Sequence, residues 1–78
     1  MDLKQIWDKA LSEIELNISR ANFITWFKNS RPLKKDGNKF IVACQNTFTK
    51  EWLENKYHKL IITALKNVDN EIKSVEFV

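Results

Sequence analysis

A chain of 78 residues makes one small domain, and a domain of this size buries only roughly 60% of the surface its unfolded chain exposes. Its apolar share of 44%, with 12% aromatic, supports one core and argues against disorder. The net charge of +3 comes from 13 basic residues spread along the chain, so no basic nucleic-acid arm is present, and a single cysteine with a single histidine excludes an intramolecular disulfide and a CxxC zinc set. The longest apolar runs are too short for a signal peptide or a membrane span, and a reducing, cytoplasmic setting is expected.

Asp2 to Leu16 reads as the first helix. Asp2 can cap it, and Leu3, Ile6, Trp7, Ala10, Leu11 and Ile14 form a continuous apolar stripe opposite Asp8, Ser12 and Glu15. The stripe is wide, and its beginning at Leu3, Ile6 and Trp7 is a candidate patch that a small domain leaves uncovered. Ser19 is a suitable cap for a second helix, about Arg20 to Lys28. Phe23, Ile24, Trp26 and Phe27 are expected to point inward, while Asn22, Thr25 and Asn29 share the outer face. A β-branched Thr25 on an exposed helical position gains nothing from helix propensity.

A short strand follows, about Arg31 to Lys35, with Pro32 marking it as an edge strand or a strand start. Asp36-Gly37 is the hairpin signal, and Gly37 is the only glycine available for a positive φ. The next strand, Lys39 to Cys44, should turn Phe40, Val42 and Cys44 toward the helices. Asn46 then caps the longest patterned run of the chain, a helix reaching Val68. Trp52, Leu53, Tyr57, Leu60, Ile61, Ala64 and Val68 lie on its core side, and Phe48 sits outside that stripe in the first turn. Asn55 or His58 is a candidate local break, and Asp69-Asn70 ends the helix with turn chemistry. Ile72 to Val78 alternates Val75 and Phe77 against Ser74 and Glu76 as a third strand. The expected class is therefore α+β, in the order α-α-β-β-α-β, with a three-stranded sheet covered by helices.

No catalytic constellation emerges. His58 lies among Lys56 and Lys59 and reads as a solvated surface side chain, and Glu51 and Glu54 read as ordinary helix-face charges. One glycine cannot build a phosphate loop. The chain is read as non-enzymatic. It also lacks a GxxG loop and an RNP1-like aromatic strand, so specific nucleic-acid readout is not expected, although weak single-strand contact through basic residues and an exposed aromatic fits the composition. Two faces remain as partner surfaces. One joins Asn22, Thr25 and Asn29 to Asn46, Thr47 and Phe48. The other is the edge of the first helix with Leu3, Ile6 and Trp7. Each has a plainer reading: Trp7 as core, Phe48 as a minor core residue against the second helix, and Asn46 as a cap alone.

The order of residues carries a resemblance. Trp7, then Ala10-Leu11 and Ile14, then Phe23-x-x-Trp26, a hairpin, Asn46-x-Phe48-x-x-x-Trp52-Leu53-x-x-x-Tyr57 and a closing Val-x-Phe strand resemble the N-terminal domain of the DnaA family of bacterial chromosomal replication initiators. The resemblance covers essentially the whole chain, and the run from Asn46 to Tyr57 is its most specific part. It implies a small KH-like α+β fold without the nucleic-acid-binding loop. It also implies a fragment of a longer initiator whose ATPase and origin-binding domains lie further along, so ATP is expected for the full-length protein and no cofactor for this chain. It implies self-association through the first helix at Leu3, Ile6 and Trp7, giving a weak homodimer or oligomer. Finally, it implies docking of a DnaB-type replicative helicase and of initiation regulators at Asn22, Thr25, Asn46 and Phe48. Some relatives carry an acid where Asn22 stands, so the charge of that contact differs here. The alternative is a stand-alone KH-like module for single-stranded nucleic acid.

Overall fold

The computed structural model describes all 78 residues. Its elements are α1 (Leu3–Glu15), α2 (Arg20–Phe27), β1 (Arg31–Asp36), β2 (Lys39–Ala43), α3 (Thr47–Lys56), α4 (His58–Val68) and β3 (Ser74–Phe77). The fold is α+β, and its order differs from expectation in one place: the long helix is two. The break falls at Tyr57, between the two candidate positions, where φ −111° and ψ 5° leave the helical basin. Tyr57 is buried, and its ring meets Phe27 edge-on at 5.4 Å. The bend lets α3 face α2 while α4 lies along α1.

Local chemistry sets the other helix ends. Asp2 and Gln5 form a reciprocal capping box at α1, in which the Asp2 carboxylate accepts from the Gln5 N–H at 2.8 Å and the Gln5 amide oxygen from the Asp2 N–H at 3.0 Å. Ser19 accepts from the Asn22 N–H at 3.1 Å to start α2. Asp69 closes α4, its carboxylate accepting from the Glu71 N–H at 3.0 Å.

The sheet runs β1-β2-β3, with β1 and β2 antiparallel and β2 and β3 parallel. The parallel pair needs a crossover, which α3 and α4 supply. As Pro32 suggested, β1 is an edge strand, and a bulge interrupts its register between Pro32 and Lys34. The hairpin closes on Asp36 paired with Lys39, so the two loop residues are Gly37 and Asn38. Gly37 has φ +62° and Asn38 has a negative φ, the pattern of a type II′ turn with glycine first. The positive φ falls on Gly37 as expected, but Asp36 belongs to the strand, whereas an Asp-Gly type I′ turn would place both in the loop with positive φ.

Phe40 and Val42 face the helices as expected and pair with Val75 and Phe77 of β3. Lys34, Ile41 and Glu76 lie across the opposite, helix-free face. The core gathers Ile6, Trp7, Ala10 and Ile14 of α1, Phe27 of α2, Leu53 and Tyr57, and Ile61, Ala64 and Leu65 of α4. Leu65 and Ile72 join it without having been anticipated. Ile24 does not join it and is 43% exposed. The inner line of α2 is set by the stacked Phe23–Phe27 pair at 5.9 Å, and Ile24 lies about 100° around from Phe23, on the side away from Trp26.

The α1 patch also needs correcting. Trp7 is only 1% exposed and Ile6 only 3%, so neither forms an open contact surface. Trp7 stacks on Phe40 at 6.0 Å, and its indole N–H donates to the Ser30 hydroxyl at 3.1 Å, which in turn donates to the Phe27 carbonyl at 2.6 Å. The wide stripe of α1 is covered by α4 and the sheet, leaving only Leu3 of the three at the margin.

Candidate functional site

Two helix starts build the site. Asn46 accepts from the Thr49 N–H at 2.8 Å, which satisfies an orphan donor and fixes the first turn of α3. That turn carries Phe48, 65% exposed. Four residues on, Trp52 lies on the same side of α3. On α2, Asn22 and Trp26 share the same i, i+4 relation. Trp26 and Trp52 stack at 4.8 Å with 17° between their planes, and Phe48 leans on Trp26 at 5.6 Å and on Trp52 at 6.4 Å. The Asn29 amide donates to Gln45 at 3.0 Å, tying the end of α2 to the residue before the Asn46 cap.

The structure therefore brings together three of the anticipated docking residues through an aromatic bridge. Asn22 stands one turn from Trp26, Phe48 packs against Trp26, and Asn46 caps the turn that holds Phe48. Thr25 lies beside Trp26 in sequence and faces outward. All four of Asn22, Thr25, Asn46 and Phe48 are exposed. The surface combines one open aromatic ring with uncharged amides and a hydroxyl, and suits a partner that buries an apolar side chain and hydrogen-bonds at the rim.

Trp26 and Trp52 went unrecognised as part of this surface, because their phases also fit a core. Both are half-buried. The signal was the i, i+4 spacing of each from an exposed candidate, Asn22 in one helix and Phe48 in the other. Trp52 has a further feature: its indole nitrogen is shut off from water and has no acceptor. The Lys56 ammonium lies 5.2 Å over the Trp52 ring and 5.9 Å over the Tyr57 ring. Phe48, Glu51, Trp52, Asn55 and Lys56 line a shallow groove running down α3 from the aromatic ledge.

A second groove lies between the start of α1 and the end of α4. Met1, Leu3, Ile6 and Val68 supply its apolar lining, and Lys35, Asp69 and Glu71 its charged rim. There the Lys35 ammonium meets the carboxylates of Asp69 and Glu71, each at 3.1 Å. The Glu71 backbone N–H and then Lys35 hold the Asp69 carboxyl below its ordinary range, while Asp69 and then Glu71 raise Lys35.

No three His, Cys, Asp or Glu side chains gather where they could hold a metal ion. His58 is exposed at the start of α4. Burial, then Glu54, raises the Cys44 thiol above its usual value, which disfavours the nucleophilic thiolate. No helix is long and apolar enough to cross a membrane. Compared with known families, the chain matches the model described as the DnaA N-terminal domain over residues 4–67, from α1 to the last turn of α4.

Proposed function

Because the chain belongs to the DnaA N-terminal domain family, a non-catalytic domain of the proteins that initiate DNA replication, we propose that it works as a docking module of an initiator. Its α2–α3 face receives a DnaB-type replicative helicase or a regulator of initiation. The observation that carries this reading is Phe48: a large apolar ring left mostly in water while held in place by two tryptophans. A ring fixed before binding loses little freedom on binding, and an aromatic anchor at an interface centre is worth about 2 kcal/mol or more on truncation. Asn22, Thr25 and Asn46 supply polar contacts around it.

The test is binding of the replicative helicase of the same bacterium to wild type and to Phe48→Ala, with circular dichroism to verify the fold. Phe48→Ala is expected to weaken binding at least tenfold and to keep the native spectrum, since the ring contributes little to the core. Unchanged binding by the folded variant removes Phe48 from the site.

Self-association belongs to the same proposal, in a form that the burial of Ile6 and Trp7 narrows. The apolar side of the α1–α4 groove, Met1, Leu3, Ile6 and Val68, supports a weak isologous contact with Leu3 as its accessible element. Sedimentation at rising concentration should show weak association in wild type and its loss in Leu3→Glu. Identical sedimentation of the two, both associating, counts against this groove. ATP binding and origin recognition are assigned to other parts of a longer initiator, in the cytoplasm, with no cofactor on this chain. A salt-dependent affinity for single-stranded DNA in the low micromolar range would favour the rival reading of a nucleic-acid module.

A further inference from the structure

The groove running down α3 from Phe48 joins an exposed aromatic ring to an unpaired cation. Its lining includes Lys56, which like seven other lysines of the chain has no carboxylate within 4.0 Å, and which alone among them lies over aromatic rings. It includes Trp52, whose indole N–H is the one buried side-chain polar atom in the molecule with no hydrogen-bond partner. Phe48, Trp52 and Lys56 are spaced i, i+4, i+8 and so follow one another down one side of the helix, with Lys56 about 12 Å from Phe48 along its axis. The Lys56 ammonium lies over aromatic faces, which hold it near the groove and leave its charge unneutralised. In a chain of net charge +3, a fixed and unpaired cation at the end of an apolar strip complements a carboxylate.

We propose that the docking surface extends from Phe48 down α3 to Lys56, and that the partner segment it accepts carries a carboxylate about 12 Å from its apolar anchor. This inference rests on the docking reading above and gives it a chemistry. The anchor packs on Phe48 and the Trp26–Trp52 stack. Some 12 Å along, an Asp or Glu of the partner pairs with Lys56.

The experiment measures the affinity of the replicative helicase of the same bacterium for wild type, Phe48→Ala, Lys56→Ala and Lys56→Glu, at low and moderate salt, with melting curves for each. Lys56 is exposed, so both of its variants should fold. Lys56→Glu is expected to weaken binding about tenfold or more and Lys56→Ala about threefold, and added salt should cost Lys56→Ala less than it costs wild type. If Phe48→Ala weakens binding while both Lys56 variants bind as wild type at each salt concentration, the extension to Lys56 is wrong and the Phe48 site stands. If wild type does not bind, or if Phe48→Ala binds as well as wild type, the docking reading fails and this inference fails with it.

Discussion

Asn46 shows how one side chain can hold a fold and offer a contact together. Its amide oxygen accepts from the Thr49 N–H, while its amide nitrogen donates to nothing in the chain. The two roles separate on substitution. Asn46→Ala loses the cap and should cost about 1 kcal/mol of stability. Asn46→Asp keeps an oxygen acceptor at a helix N-terminus and should melt at or slightly above the wild-type temperature. If the amide nitrogen serves the partner, Asn46→Asp should still bind the helicase more weakly. Melting curves and binding on the same samples check this, and normal binding by Asn46→Asp reduces Asn46 to a cap. At this scale the sequence was most readable where a side chain acts on its own backbone: Asp2, Ser19 and Asn46 all cap as read. It was least readable where exposure depends on a neighbour. Ile24 looked internal by composition and is open, because Phe23 and Phe27 already define the inner face of α2.

At the scale of elements, the ion cluster of Lys35 with Asp69 and Glu71 fastens edge strand β1 to the turn between α4 and β3. Lys35 and Asp69 are both mostly covered, unlike the surface pairs elsewhere, so their contribution should be measurable. Asp69 has a lowered folded pKa, so its contribution is complete above the unfolded value of about 3.9 and fades as pH falls through the folded one. Lys35 has a raised folded pKa, so its contribution is complete below about 10.4 and fades as pH rises through the folded value. Lys35→Met should therefore melt a few degrees below wild type at neutral pH, and the two should converge as pH falls through the folded value of Asp69. A constant gap from pH 7 to pH 3 would show that Lys35 acts through packing of its stem instead. The elements themselves were legible because period, caps and the single glycine agreed. The break at Tyr57 could only be bracketed, since no helix breaker stands there and the Phe27 ring it meets is distant in sequence. The sheet order was open for the same kind of reason: strand alternation shows which face is buried but not which strands are neighbours.

For the whole molecule, the instructive residue is Trp7. A stripe as wide as that of α1 looks the same in sequence whether its own chain or a second copy covers it. In this fold α4 and the sheet cover it, and Ser30 accepts from the indole N–H, so what remains for a partner is the margin at Leu3. The opposite happened at Phe48. The packing that could have buried it on α2 instead props it up, because Trp26 and Trp52 stack on each other and fill the space beneath. The molecule thus presents its largest open aromatic beside uncharged polar groups on one side, and a wider groove of mixed polar and apolar lining on the side of α1 and α4. The most direct test of the docking claim is backbone amide shift mapping of the labelled domain titrated with the helicase of the same bacterium. Perturbations are expected to concentrate at Asn22, Thr25, Trp26, Asn46, Phe48 and along α3, with α4 and the helix-free sheet face unchanged. Perturbations confined to the sheet face of Lys34, Ile41 and Glu76, or to the groove at Leu3, with the Phe48 region silent, would contradict the docking claim.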